Sequence, residues 1–261
     1  MIPQKFVQRW QNDKAPWVSP LMVEQDLIIS RALVNLYEQP EIRNTLVFRG
    51  GTALNKLYIQ PASRYSEDID FVQIKSGPIG PVINAIRVAL DPWLGEPKRK
   101  MTERSVKLVY RYLSGENFPA KLKVEINTTE HYHMLDLVEM DYEVQSEWFS
   151  GASSIMTYQL DELMGTKLRA LYQRRKGRDL FDLWYALQNN LINMDVVLDV
   201  FDQHNICLQQ SVTRALFEKN FIEKITAQDF STDMKQLLHP RVEYNFNQGN
   251  QLIFVHLFLI F

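Results

Sequence analysis

Residues 64–71 read Arg-Tyr-Ser-Glu-Asp-Ile-Asp-Phe, and from Asp68 onward acidic and apolar side chains alternate. Such alternation predicts a strand with one polar face and one face in a core. Ile69 and Phe71 then point inward, while Asp68 and Asp70 share the outer face, about 7 Å apart along the strand. The chain must therefore build a sheet that is buried on one side and carries two like charges on the other. Two arrangements relieve that repulsion. The aspartates can end the strand in a solvated turn, or they can hold a hard divalent cation, since Mg²⁺ typically takes one or two carboxylates plus substrate phosphates.

The segment Lys123-Val124-Glu125-Ile126-Asn127 repeats the alternation. Glu125 falls on its polar face, either as an ordinary surface glutamate or as a third carboxylate beside the pair. In the second case it would take a proton from an attacking hydroxyl or help hold a second metal. Upstream, Leu46-Val47-Phe48 is followed by Gly50-Gly51 and then by Thr52 to Tyr58, which reads as strand, glycine turn and helix. Glycines let backbone approach a ligand closely, and a helix N-terminus attracts phosphate. Gly50, Gly51 and Thr52 are thus candidate phosphate contacts, as is Ser66, two residues before Asp68. Neither GxxxxGK[ST] nor GxGxxG occurs, which argues against a P-loop NTPase or a dinucleotide-binding Rossmann site.

Ser19-Pro20 opens a helix that runs to about Tyr37, with Ser as cap and Pro in the first turn. Residues 82–94 read as a helix, and Val106–Tyr112 and Leu122–Ile126 as strands. From about Met156 the pattern turns helical, with Leu160, Leu163, Met164, Leu168 and Leu171 on one face. A further helix is expected over about 178–188, and residues 195–238 are mostly helical. The expectation is an α+β chain with two domains: a mixed sheet flanked by helices over 1–155, and a helical lobe over 156–261. The apolar end, Leu252 to Phe261, is too short to cross a membrane as a helix. It reads as a buried terminal segment or a contact surface.

The net charge of −2 advertises no polyanionic partner, but the charges are segregated. Lys98 to Lys123 holds eight Lys/Arg against Glu103 and Glu116, and Val124 to Thr166 holds nine Asp/Glu and no Lys/Arg. Lys167 to Arg178 is basic again. Any anionic partner must therefore meet a local strip. Lys167 interrupts the apolar stripe of its helix and needs an anion. A carboxylate (Glu162 or Asp179) or a ligand triphosphate would serve. Asp179 and Asp182 share a helix face, and for Asp182 the simpler role is to complement the helix dipole. Arg174, Arg175, Lys176 and Arg178 form either a solvated loop or a phosphate-binding cluster. His131 and His133 alternate without further ligands, which favours a role other than metal binding. The lone Cys207 excludes an internal disulfide and suits a reducing, cytoplasmic setting.

These segments, in this order, resemble the AbiEii/AbiGii family of toxins from bacterial type IV toxin–antitoxin systems. The resemblance rests on Glu24-Gln25-Asp26, FRGGTALNKLY at 48–58, RYSEDIDF at 64–71, KVEIN at 123–127 and DELMGTKLRALYQRRKGRDLFDLW at 161–184. It implies a DNA-polymerase-β-like nucleotidyltransferase core that takes an NTP with Mg²⁺ or Mn²⁺. Asp68 and Asp70 would hold metal, and Gly51 and Thr52 would contact phosphates. Lys167 would lie on the phosphates and Asp179 near the site, with Arg178 beside them. It further implies NMP transfer to an RNA acceptor such as a tRNA 3′ end, a block of translation, a neighbouring antitoxin protein and no membrane partner. The family pattern also departs here: Gln25 stands where lysine is common, and Arg49 where lysine is frequent. A transferase acting on protein or small-molecule hydroxyls, and a non-catalytic nucleotide-binding module working through an antitoxin, are the rival readings.

Overall fold

The computed structural model describes residues 1–258, and the last three residues of the apolar end lie outside them. The chain divides into two compact units. One comprises Met1–His133 and Leu137–Tyr158; the other comprises Met134–Asp136 and the chain from Gln159 onward.

The first unit is built on a seven-stranded mixed sheet. Its strands are β1 (Leu46–Arg49), β2 (Asp68–Gln73), β3 (Lys98–Met101), β4 (Ser105–Leu113), β5 (Pro119–Asn127), β6 (Val138–Gln145) and β7 (Ser150–Thr157), in the order β3-β4-β5-β2-β1-β7-β6. β2 lies parallel to β5 and antiparallel to β1, and β1 lies parallel to β7. Helices α1 (Gln4–Asp13), α2 (Pro20–Tyr37), α3 (Pro40–Thr45) and α5 (Gly80–Leu94) belong to this unit. So does the short α4 (Gly50–Ala53), which runs into a π-helical turn over Leu54–Tyr58.

Apolar alternation decides which face is covered. Ile69, Phe71, Leu108, Val124 and Ile126 are at most 1% exposed, and α2 packs across this side of the sheet. α2 is apolar nearly all round and buried nearly all round, as expected for a helix with neighbours on every side. It starts with Pro20 as expected, though the Ser19 hydroxyl makes no capping bond.

Three strands are additional to those read from the sequence: β3, β6 and β7. Met156 and Thr157, where the helical half was expected to begin, end β7. Thr157 Oγ donates to the Phe48 carbonyl at 2.7 Å and fixes β7 to β1. The second unit holds α6 (Leu160–Gln173), α7 (Gly177–Gln188), α8 (Met194–Cys207), α9 (Arg214–Ile225), α10 (Gln228–Thr232) and α11 (Phe246–Phe258). Glu162 is fully buried there, accepting from the Met134 and Leu135 amides at 2.8 and 2.9 Å. No helix among the described residues is long and apolar enough to cross a membrane.

Candidate active site

Asp68 and Asp70 stand where the alternation places them, on the polar face of β2. The register then sets their neighbours. Asp70 lies opposite Arg49 of β1 and Glu125 of β5, Glu125 opposite Lys107 of β4, and Lys107 opposite Lys100 of β3. Directly opposed residues of a sheet share a face, so one charged row crosses five strands. In the next row Asp68 lies opposite Lys123.

The lysines settle part of the repulsion. Lys123 Nζ is 2.7 Å from Asp68 and 3.4 Å from Glu125, and Lys107 Nζ is 2.8 Å from Glu125. Burial alone would raise the Glu125 pKa, but these bonds and charges hold it below its ordinary value. Asp70 is left differently. Burial, then the charge of Asp68, raise its pKa, and Lys123 and Arg49 offset this only partly. Arg49 is itself engaged by Glu130 at 3.1 Å.

The glycine turn meets this carboxylate. Gly50 has φ +83°, a left-handed conformation that favours glycine, and a Cβ there would sit 2.8 Å from Asp70 Oδ2. Gly51 has equally little room, since a Cβ would meet the Arg64 guanidinium at 2.4 Å. Thr52 is buried. Its hydroxyl donates to the Asp68 carbonyl and lies 2.8 Å from Ser66 Oγ. Asn55 completes the brace, donating to the Gly51 carbonyl at 3.0 Å and accepting from the Ser63 amide at 3.0 Å. Thr52, Ser66 and Asn55 thus fix the start of β2 against the turn.

Glu24, Gln25 and Asp26 of α2 serve as ties. Glu24 accepts from the Gly115 amide at 3.0 Å, and Asp26 accepts from Trp10 at 2.8 Å and from Lys56 at 2.7 Å. Gln25 donates to the Lys121 carbonyl at 2.9 Å and to the Glu67 carbonyl at 3.2 Å, and accepts from the Tyr112 hydroxyl. His131 faces the Gln73 carbonyl through Nδ1 at 2.6 Å.

In the second unit Lys167 is buried with its ammonium 3.2 Å from Asp179 and 2.9 Å from Asp182. Arg174 adds a two-pronged pair to Asp179 at 2.6 and 2.8 Å. The carboxylate alternative for Lys167 is therefore the one seen, through Asp179 but not Glu162. Asp182 is no solvated dipole partner; it is fully buried in this cluster. Arg175 pairs with Asp229 at 2.9 Å, and Arg178 is half-buried in the field of Asp233. The fixed lysines Lys107 and Lys123, and the burial of Asp182, went unread in the sequence. Lys123 has the same strand parity as Glu125, a signal that was present.

Asp68 and Asp70 suit a hard cation: two oxygen donors on one strand face, one of them with a pKa raised first by burial and then by its neighbour's charge. Among the described residues no three His, Cys, Asp or Glu are grouped to hold a metal. The fit is therefore to the Mg²⁺ mode in which two carboxylates are completed by substrate phosphates and water.

The fold defines a class. It is shared with MenT4, a nucleotidyltransferase toxin from Mycobacterium tuberculosis H37Rv, which superposes with a TM-score of 0.71 at 19% identity, over 98% of this chain and 90% of that one. JHP933 from Helicobacter pylori superposes with a TM-score of 0.54 at 17% identity, over 92% of this chain and 91% of its own. No curated protein matches the chain significantly. The family model described as nucleotidyl transferase AbiEii toxin, type IV toxin–antitoxin system, matches residues 31–248. The chain belongs to that family and is a nucleotidyltransferase-family enzyme.

Proposed function

We propose that the chain transfers NMP from an NTP to an RNA hydroxyl, with a tRNA 3′ end as the acceptor, at the polar face of β2. The carrying observation is the packing of Asp70, beside Asp68, against the Gly50 turn. The acceptor oxygen attacks the α-phosphorus, the bond to pyrophosphate breaks, and the hydroxyl proton passes to water. Asp68 and Asp70 would hold Mg²⁺ or Mn²⁺, which when bound supplies positive charge to the phosphate oxygens. The Gly50–Gly51 turn lies at the start of α4 and brings backbone against Asp70, so its amides would meet the phosphates beside these carboxylates. Thr52 and Ser66 hold β2 in place for it. Glu125 is ionised between two lysines and a weak base, so its role is to fix Lys107 and Lys123, whose charges face the developing negative charge.

The resemblance assigns Lys167, Asp179 and Arg178 to the nucleotide. In this chain Lys167 already has two carboxylate partners, so we assign Lys167 and Asp179 to the integrity of α6 and α7. The RNA reading is supported by the lysines of β3, β4 and β5 and by Arg111 of β4 on the face that carries Asp68. Membership of a type IV toxin–antitoxin family supports a block of translation held in check by an antitoxin, in the cytoplasm.

The test is incorporation of labelled NTP into cell extract, followed by RNase or protease. Wild type is expected to label an RNase-sensitive product, and Asp70→Asn to lower labelling by at least a hundredfold with an unchanged circular dichroism spectrum. A protease-sensitive product would transfer the reading to a protein hydroxyl. Full activity of Asp70→Asn would refute the metal assignment.

A further inference from the structure

Gln25 is a neutral polar side chain of α2 that is only 6% exposed. Its amide joins three strand ends. Nε2 donates to the Glu67 carbonyl at 3.2 Å and to the Lys121 carbonyl at 2.9 Å, and Oε1 accepts from the Tyr112 hydroxyl of β4. Tyr112 lies opposite Ala120, two residues along from the opposed pair Tyr110 and Leu122, and these side chains lie on the buried, apolar face of the sheet. Gln25 therefore comes from beneath, while Asp68, Asp70 and Lys123 stand on the other face. It reaches them only through backbone.

The two carbonyls lie where strand pairing is about to start. β2 and β5 are parallel and pair from Asp68 opposite Lys123 onward. Glu67 is the residue before Asp68, and Lys121 is two residues before Lys123. One planar amide spans both carbonyls and so sets how the two strands enter their register. The Glu67 carbonyl belongs to the peptide that leads into Asp68. The carbonyl of Asp68 itself accepts from the buried Thr52 hydroxyl. Both peptide groups that flank the Asp68 Cα are thus held by buried side chains, one from α2 and one from the glycine turn. With the peptides fixed, only side-chain torsions are left to the carboxylate, and Lys123 at 2.7 Å restrains those.

We infer, on the reading of Asp68 and Asp70 as metal holders, that Gln25 is a positioning residue for the metal site: through the Glu67 and Lys121 carbonyls it holds Asp68 where it can share a hard divalent cation with Asp70. Mg²⁺ demands near-ideal octahedral geometry. Removing a group that orients a metal ligand typically lowers metal affinity about 10–100-fold. What the site asks of residue 25 is two donors. Methionine has a similar length and none, so it leaves both buried carbonyls unanswered. Lysine carries three N–H donors for three oxygens, the two carbonyls and the Tyr112 hydroxyl.

The experiment uses the full chain and Mn²⁺ alone, with free Mn²⁺ followed by electron paramagnetic resonance at neutral pH. Wild type is expected to bind Mn²⁺ and Asp70→Asn to lose that binding. Gln25→Met is expected to weaken it about tenfold or more, and Gln25→Lys to return it to within about threefold of wild type. In the transfer assay the Mn²⁺ concentration that gives half the maximal rate should move by the same factors, with the KM for NTP at saturating Mn²⁺ within twofold of wild type. A role in stability alone predicts easier unfolding of Gln25→Met with Mn²⁺ affinity unchanged within twofold, and that result would overturn the inference. So would a Gln25→Lys variant that binds Mn²⁺ as weakly as Gln25→Met. Where Gln25→Met does not fold, Gln25→Asn, one methylene too short to span both carbonyls, takes its place with the same expectation. Failure of the metal reading is distinct: Asp70→Asn would then bind Mn²⁺ as well as wild type, and the role given to Gln25 would fall with it.

Discussion

Asp179 shows how a buried charge is made tolerable one residue at a time. Burial alone would raise its pKa, but Lys167 and the two bonds from Arg174 outweigh burial and bring it from the ordinary 3.8 down to about 2. A carboxylate whose folded pKa is depressed stabilises the fold above its unfolded pKa, and that stability is lost as pH falls through the folded value. The window is therefore about pH 4 to 2, and the contribution is on the order of 2 kcal/mol. Urea unfolding over that pH range, followed by tryptophan fluorescence, is expected to show this loss. In Lys167→Met the buried Asp179 and Asp182 lose the ammonium they share, so stability at neutral pH should fall by about 3 kcal/mol. The loss between pH 4 and 2 should then shrink, because Asp179 has less to lose. An acid profile identical to wild type would mean that Lys167 does not hold Asp179. The charge balance of this cluster was only half legible. A lysine in an apolar stripe announces that it needs an anion, and Asp179 was a named candidate. Asp182 looked like an exposed dipole partner, because first-turn acids of a helix are ordinarily solvated, and only packing reveals that both acids turn inward.

Elements lock together where side chains are smallest. Gly165 of α6 faces α8, and a Cβ there would sit 2.4 Å from Val200 Cγ1, 2.9 Å from Val200 Cβ and 3.2 Å from the Val197 carbonyl. A rotamer change can move a methyl, but Val200 Cβ moves only with the helix. Gly165→Ala gains about 1 kcal/mol of helix propensity, yet forcing α8 outward costs about 1–3 kcal/mol. The expected net effect is a destabilisation of about 1 kcal/mol, and Gly165→Val should cost more; thermal unfolding of both variants checks the order. An alanine variant more stable than wild type would show that α6 and α8 are not closely packed. The same physics explains which elements could be read beforehand. β2, β4 and β5 carry apolar residues at every second position because their inner face is core, and β1 is a short unbroken apolar run buried on both faces. β3 is Lys-Arg-Lys-Met with all four side chains exposed, so no core imprints a period on it. In β6 only Val144 is buried, and β7 is rich in Ser, Gly and Ala. The Asp68–Asp70 pair is a local pattern and was legible. The lysines that answer it come from the register of β2 against β5, strands some fifty residues apart, and no local pattern carries that.

At the scale of the whole molecule, a net charge of −2 says nothing about what the surface attracts, because the sheet sorts charges by face. Lys98 and Lys100 of β3, Lys107 and Arg111 of β4, and Lys121 and Lys123 of β5 have the same strand parity within the paired registers, so they share the face that bears Asp68 and Asp70. Lys107 and Lys123 are committed to carboxylates, and Lys98 and Lys100 lie farthest from them on an exposed edge strand. Binding of a polyanion to such a face releases counterions, so affinity falls with salt, with a slope of about 0.7 per neutralised phosphate on a single strand. Changing Lys98 and Lys100 together to alanine should leave stability within about 0.5 kcal/mol, since both are exposed and unpaired with core groups. It should weaken RNA binding alike for every sequence, and should reduce the slope of log K against log salt by about 0.7 for each phosphate left unneutralised. The KM for NTP should not change, because a mononucleotide beside Asp70 does not reach the outermost strand. Anisotropy titrations of one labelled RNA at several salt concentrations measure the slope directly. An unchanged slope would show that the acceptor does not cross β3, and would confine its path to the strands next to the aspartates.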